Sequence, residues 1–83
     1  LLTENMQNDL WELRSMLVPN ELIEEVNLYV ELKEDKSPEL VVRIKEVSGR
    51  ELENRSDNVR TMELLLEGYV QGLSIFQDNN NKA

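Results

Sequence analysis

The most constraining feature of this sequence is a regular spacing of mostly apolar side chains in its second half. They follow one another at intervals of three and four residues and comprise Leu52, Arg55, Val59, Met62, Leu66, Tyr69, Leu73 and Phe76. An average spacing of 3.5 residues keeps one stripe of a helix against neighbouring helices along its whole length. The pattern predicts a long helix that is either continuous or split near residues 55–58.

A first helix is predicted over residues 3–17. Its apolar side chains recur at helical intervals, at Met6, Leu10, Leu13 and Leu17. Thr3 is suited to cap the start of this helix, and Pro19 disfavours helical backbone at the residue before it.

The segment from residue 20 to residue 35 admits two interpretations. Asn20 is a good N-cap, and apolar residues after it share one helical face, which predicts a second helix. However, Val26, Leu28, Val30 and Leu32 also alternate with less apolar residues, as in a half-buried strand. This segment alone leaves both possibilities open.

The following segment favours helix. Ser37-Pro38-Glu39 places a capping hydroxyl before proline and an acidic residue, a combination typical of helix starts. We therefore expect an all-α three-helix bundle with helices over 3–17, 20–35 and 38–76. In the alternative α+β fold, 40–47 pairs with 26–32 as a hairpin in the order αββα.

Length and charge restrict the organisation and the partners. Eighty-three residues suffice for one domain, expected over 1–77, followed by a disordered polar tail over 78–83. The chain has 17 acidic and 9 basic residues, a net charge of −8. This balance disfavours nucleic acid and anionic membranes and favours a basic protein surface as partner. No apolar segment is long enough to span a bilayer.

Missing residue types argue against catalysis. The chain contains no cysteine and no histidine, which excludes disulfides, thiolate chemistry and the commonest general base and metal ligand. The acidic run at Glu31, Glu34 and Asp35 lacks the glycine-containing loop of a calcium site. We expect a non-enzymatic protein without metal or cofactor, and the lack of disulfides favours the cytoplasm.

The last predicted helix supplies three candidate protein-binding residues. Leu64 and Ile75 point away from the periodic stripe, and Gly68 lies between them, with Gly72 nearby. Large apolar residues flanking small ones make a shallow groove that another backbone can approach. The competing explanation is that Leu64 packs on the first helix.

Three further candidates lie in the first half of the chain. Trp11 stands at the border of the first helical stripe, and tryptophan is frequent at binding hot spots but also fills the corners of small cores. Leu28 and Leu32 form a pair four residues apart, outside the main stripe of the second predicted helix. They either meet the third helix or form an exposed patch.

One segment resembles a known family. Residues 53–62, Glu-Asn-Arg-Ser-Asp-Asn-Val-Arg-Thr-Met, followed by Leu65-Leu66, are similar to the first long helix of GAT domains. These are three-helix bundles of trans-Golgi and endosomal sorting adaptors. The resemblance implies ubiquitin binding through apolar patches, here Leu28 and Leu32 or Leu64 and Ile75, with some members binding a small GTPase. It also implies a location on the cytosolic face of those membranes.

Two other functions remain open. The periodic stripe from Leu52 to Phe76 is suited to pair between chains as a coiled coil, with Arg55 as its polar member. An αββα fold is instead compatible with an acidic mimic of nucleic acid, in which Glu24, Glu31 and Glu34 carry the activity.

Overall fold

Secondary structure follows the order helix, strand, strand, strand, helix. The computed structural model describes the backbone of residues 4–81 and the side-chain surroundings of residues 4–76. Its elements are α1 (Glu4–Leu17), β1 (Ile23–Leu32), β2 (Pro38–Glu46), β3 (Glu51–Ser56) and α2 (Val59–Asn81). The expected all-α three-helix bundle is therefore wrong, and the α+β alternative is confirmed, with one strand more than the predicted hairpin.

The strands form one antiparallel sheet in the order β1-β2-β3. Val42 of β2 lies between Leu28 of β1 and Asn54 of β3 in the register. Because successive side chains of a strand point to opposite faces, Leu40, Val42 and Ile44 share one face of the central strand. All three are buried, so this face carries the core.

Residues 38–46 form a strand although Ser37-Pro38-Glu39 predicted the start of a helix. The Asp35 side chain accepts a hydrogen bond from the backbone N–H of Ser37 at 3.0 Å, within the turn that joins β1 to β2. Lys36 has a φ of 68°, which closes this turn. Pro38 then opens β2 opposite Leu32, a position at the strand's start that tolerates proline. The residues that were expected to cap a helix instead stabilise a turn. The predicted helix from residue 38 is wrong over β2 and β3.

The predicted helix over residues 20–35 is also wrong. The Asn20 side-chain oxygen accepts the N–H of Leu22 at 2.9 Å, and its backbone carbonyl accepts the N–H of Ile23 at 3.1 Å. These bonds make a tight turn between α1 and β1, because asparagine can hold a turn as readily as it caps a helix. The alternation of Val26, Leu28 and Val30 was the decisive signal.

The periodic stripe of the second half is divided at Ser56. Its first two members, Leu52 and Arg55, lie in β3, where odd spacing places them on opposite sheet faces. A turn at Gly49, with a φ of 97°, leads into this strand, which was not predicted. Helix α2 begins only at Val59, close to the break anticipated at residues 55–58.

Both helices pack on the same face of the sheet. The core is one cluster of buried side chains from both helices and from β1 and β2: Leu13, Leu17, Val26, Leu40, Val42, Ile44, Met62 and Leu66. Leu10 and Tyr69 pack against its margin. The stripes predicted for 3–17 and for the second half therefore face inward along both helices, except that Phe76 is exposed.

Both ends of the chain carry predictions that lie partly outside the described residues. Thr3, the expected cap of α1, is one of them, as are residues 82 and 83 of the expected polar tail. The helix α2 continues through Asn81, so residues 78–81 prolong it. None of the helices within residues 4–81 is both long and apolar enough to cross a membrane.

The N-cap of α2 gives a test of this fold. Asn58 accepts the N–H of Thr61 at its side-chain oxygen, at 3.0 Å, and the N–H of Met62 at its carbonyl, at 3.1 Å. Replacing Asn58 with alanine leaves the Thr61 N–H without its acceptor, so we expect the free energy of unfolding to fall by about 1 kcal/mol in urea titrations. Asn58→Asp keeps the acceptor and should preserve stability. Equal losses in both variants would contradict the cap.

Candidate protein-binding surface

The side of α2 turned away from the core carries four large exposed apolar side chains. Leu64, Leu65, Ile75 and Phe76 expose 54%, 44%, 62% and 59% of their surfaces. Together with Gly68 and Gly72 they define the outer face of α2. At about 100° per residue, the six residues fall within an arc of about 120°, whose centre lies about 120° around the helix from the midpoint of Met62 and Leu66. The largest exposed apolar patch of a monomer is often a functional surface.

This outer face contains no charged residue. The charged residues of α2 up to residue 76 are Arg60, Glu63 and Glu67, and all three lie outside the arc. Arg60 and Glu63 are paired with each other at 3.1 Å. Covering the outer face with another apolar surface therefore does not require any ion to lose its water, which is the main cost of burying polar helices.

The two glycines of the outer face are not required by the packing of the chain itself. A methyl group built at Gly68 or at Gly72 would meet no atom within 4 Å outside the adjoining residues and backbone of its own helix. A glycine inside a helix costs about 1 kcal/mol relative to alanine. Two such glycines, four residues apart and both exposed, leave a flat strip on which a second backbone can lie closely.

The structure brings three of the six predicted binding residues together. Leu64, Gly68 and Ile75 lie on the outer face of α2, as their helical spacing implied. The sequence interpretation missed Leu65 as a member and assigned Phe76 to the core stripe. Leu73 is buried, whereas Phe76 exposes 59% of its surface and lines a depression of about 220 Å³ together with Leu73 and Glu46.

Trp11, Leu28 and Leu32 lie elsewhere. Trp11 is exposed on α1, beside Leu28 in a shallow depression of about 220 Å³ between α1 and β1. Leu28 and Leu32 belong to a strand and share the sheet face that packs on the helices. Leu28 is half-buried against the core, whereas Leu32 is exposed, so the two leucines do not form one exposed patch.

The other face of the sheet, which neither α1 nor α2 covers, holds a network of ion pairs around Arg55. Its guanidinium lies 3.1 Å from Glu39, 3.5 Å from Glu31 and 3.0 Å from Glu53. Hydrogen bonds to Glu39 and Glu31 raise the pKa of Arg55 further above its ordinary value. Val41 lies on this face between Tyr29 and Arg55 in the register and is fully buried.

Two of the acidic residues proposed for mimicry of nucleic acid take part in ion pairs. Glu31 is paired with Arg55, and Glu24 lies 3.9 Å from Lys45. Arg43 adds a further positive charge, 3.8 Å from Glu53. The uncovered sheet face therefore carries charges of both signs, and Glu34 lies apart from it, exposed in the turn after β1.

A buried carboxylate anchors α2 to the end of β2. The Tyr69 hydroxyl donates a hydrogen bond of 2.6 Å to Glu46, and the Ser48 hydroxyl donates one of 3.2 Å. Arg50 lies 4.0 Å from the same carboxylate. Burial, and then the hydrogen bond to Glu46, raise the pKa of Tyr69 above its ordinary value. This contact sets the rotation of α2 and hence the direction in which its outer face points.

Within the described part of the chain, no cluster of three or more histidine, cysteine, aspartate or glutamate side chains is arranged to hold a metal ion.

Comparison with known proteins gives no relative. No protein-family model, curated protein or solved structure matches the chain. The resemblance to GAT domains is wrong, because the three helices it requires are replaced by two helices and a sheet. The segment that carried it is divided between β3 and α2. Ubiquitin as the partner, which rested on that resemblance, loses its support.

The contact between Tyr69 and Glu46 predicts a pH dependence of stability. The folded chain keeps the Tyr69 proton above pH 10.0, the ordinary pKa, whereas the unfolded chain releases it there. The free energy of unfolding should therefore fall as the pH rises above 10, because the unfolded state then binds fewer protons. Urea titrations between pH 8 and pH 11 should show a smaller decline for Tyr69→Phe than for the wild type. Tyr29→Phe is the matched control, and an identical decline in all three proteins would refute this role of Tyr69.

The exposed glycines predict a gain in stability from substitution. Gly68→Ala and Gly72→Ala should each raise the free energy of unfolding of the dilute chain by about 0.5–1 kcal/mol, because alanine is the better helix former and meets no obstacle. Gly49→Ala should do the opposite, since its φ of 97° strains any other residue. Chemical denaturation of the three variants measures whether each substitution raises or lowers the free energy of unfolding. A loss at residues 68 and 72 would show that the chain itself needs these glycines.

Proposed function

We propose that this chain is a non-catalytic protein-interaction module that binds its partner through the outer face of α2. The observation that carries the proposal is the uncharged strip of Leu64, Leu65, Ile75 and Phe76 around two exposed glycines. Apolar area of this kind supplies affinity when it is covered, and the glycines allow close approach of the covering backbone.

Charge contributes to the choice of partner. The net charge of −8 repels nucleic acid and anionic membranes and leaves apolar or basic protein surfaces as the suitable ones. Because the charged side chains of α2 lie beside the outer face and not within it, they act on the rate and selectivity of encounter more than on affinity.

The side-chain inventory supports binding as opposed to catalysis. The chain contains neither histidine nor cysteine. Glu46 is the buried carboxylate of the described residues, and it already accepts hydrogen bonds from Tyr69 and Ser48. These structural contacts hold the carboxylate in place, although Glu46 also lines a depression of about 220 Å³ beside Arg50 and Phe76. The lack of cysteine also suits a reducing compartment, and we propose the cytoplasm.

Binding through the outer face of α2 can be tested by capture with two matched double variants. Leu64→Ser with Ile75→Ser removes two large side chains from the face. When the chain is used as bait in a lysate of the cells in which it occurs naturally, we expect this variant to capture at least tenfold less partner. Trp11→Ser with Val47→Ser removes similarly large side chains, exposed by 71% and 61%, that lie off the face. This control should capture the partner as the wild type does.

Circular dichroism and urea titration should show that both double variants keep their fold, because all four side chains are exposed. Unchanged capture by the α2 variant, or equal losses in both variants, would rule out the outer face of α2 as the binding surface.

A further inference from the structure

The outer face of α2 has the same pattern of large and small residues when the helix is read in reverse. Two large residues, Leu64 and Leu65, precede the glycines, and two large residues, Ile75 and Phe76, follow them. The positions are symmetrical about residue 70, so reversal exchanges 64 with 76, 65 with 75, and 68 with 72. Val70 itself is half-buried and points to the other side of the helix, toward the core.

A reversible pattern is what a contact between two identical helices requires. In a two-fold symmetric interface the same patch is used on both copies, and if residue i contacts residue j, then j contacts i. An antiparallel pair of α2 helices centred at residue 70 satisfies this rule at all three exchanged positions. Binding of an unrelated protein would not call for such symmetry.

We propose that the outer face of α2 pairs with the same face of a second copy of this chain, antiparallel, about a two-fold axis level with Val70. This inference rests on the proposed function and names its partner. Leu64 of one copy packs beside Phe76 of the other, Leu65 beside Ile75, and Gly68 beside Gly72. The glycines lie at the centre, where two helices cross at about 8–10 Å and large side chains would hold them apart.

The lack of charge on the outer face of α2 suits pairing with a second copy of the chain. Because the outer face carries no charge, each copy covers the other's apolar side chains without burying an ion. The remaining charges nevertheless repel, since each copy carries −8. Added salt screens that repulsion and strengthens the dimer, whereas it would weaken the binding of a basic partner.

The size of the contact sets the expected strength. Four large side chains, each about half exposed, supply roughly 400 Å² on each copy and about 800 Å² in the pair, below the roughly 1,200 Å² of stable complexes. The dimer is therefore expected to dissociate on dilution, and its mass must be measured over a range of concentrations.

Sedimentation equilibrium of the full chain tests the pairing. From about 1 to 500 μM the mass should rise from that of one chain towards twice that value, with a smaller dissociation constant at 0.5 M than at 0.05 M salt. Gly68→Gln with Gly72→Gln inserts polar side chains at the crossing point, and the dissociation constant should rise at least tenfold. Ser74→Gln, which adds the same side chain to an exposed residue off the face, should leave it unchanged.

Disulfide capture tests the direction of the helices, and the chain's lack of cysteine makes it simple. A Leu65→Cys chain mixed with an Ile75→Cys chain should oxidise mainly to the mixed disulfide, by about fivefold over either like pair, since bridged Cα atoms must lie within about 7 Å. In the antiparallel pair, like positions are ten residues apart along the helix, or about 15 Å. Predominant like pairs would indicate parallel helices and overturn the arrangement.

The remaining outcomes separate this inference from the function on which it rests. A chain that stays monomeric at 500 μM but is captured by another protein through Leu64 and Ile75 would refute the second copy as partner and leave the binding function standing. A chain that neither dimerises nor loses capture in the Leu64→Ser, Ile75→Ser variant would refute both.

Discussion

The packing of Met62 and Leu66 on the apolar side of the central strand is the contact on which the remaining architecture depends. Three strands alone cannot bury Val42 and Ile44, and α2 covers them together with α1. Glu46, at the end of the same strand, then fixes the helix by its bond to Tyr69. Once these contacts are made, the rotation of α2 is determined, and the side facing solvent is determined with it.

The uncovered side of the sheet is stabilised differently. Neither α1 nor α2 packs against it, and its fully buried apolar residue Val41 lies between Tyr29 and Arg55 in the register. The long side chain of an arginine such as Arg55 can cover an apolar neighbour with its methylene groups while its charged end stays in water. The domain therefore has an apolar core on one side of the sheet and a network of exposed ion pairs on the other. Only the apolar side resembles an ordinary protein interior.

The sequence predicted some parts of this arrangement well and others poorly. The first helix and the inward stripe of α2 were readable because 3.5-residue spacing is specific to helices over several turns. The strands were ambiguous because signals around Asn20 and Ser37 are shared by helix caps and tight turns. Leu64, Gly68 and Ile75 could be placed on one helix face from spacing alone. The exposure of Phe76 could not, since it depends on where the sheet ends beneath the helix.

The division of α2 into an inward side and an outward side has an evolutionary consequence. Leu64 and Ile75 lie outside the core cluster and are more than half exposed, so substitutions there can accumulate with little loss of stability. Changes at Met62 or Leu66, by contrast, are constrained by folding. Related chains can thus diverge in what they associate with while sharing one scaffold, and the outward residues should be the first to vary among them.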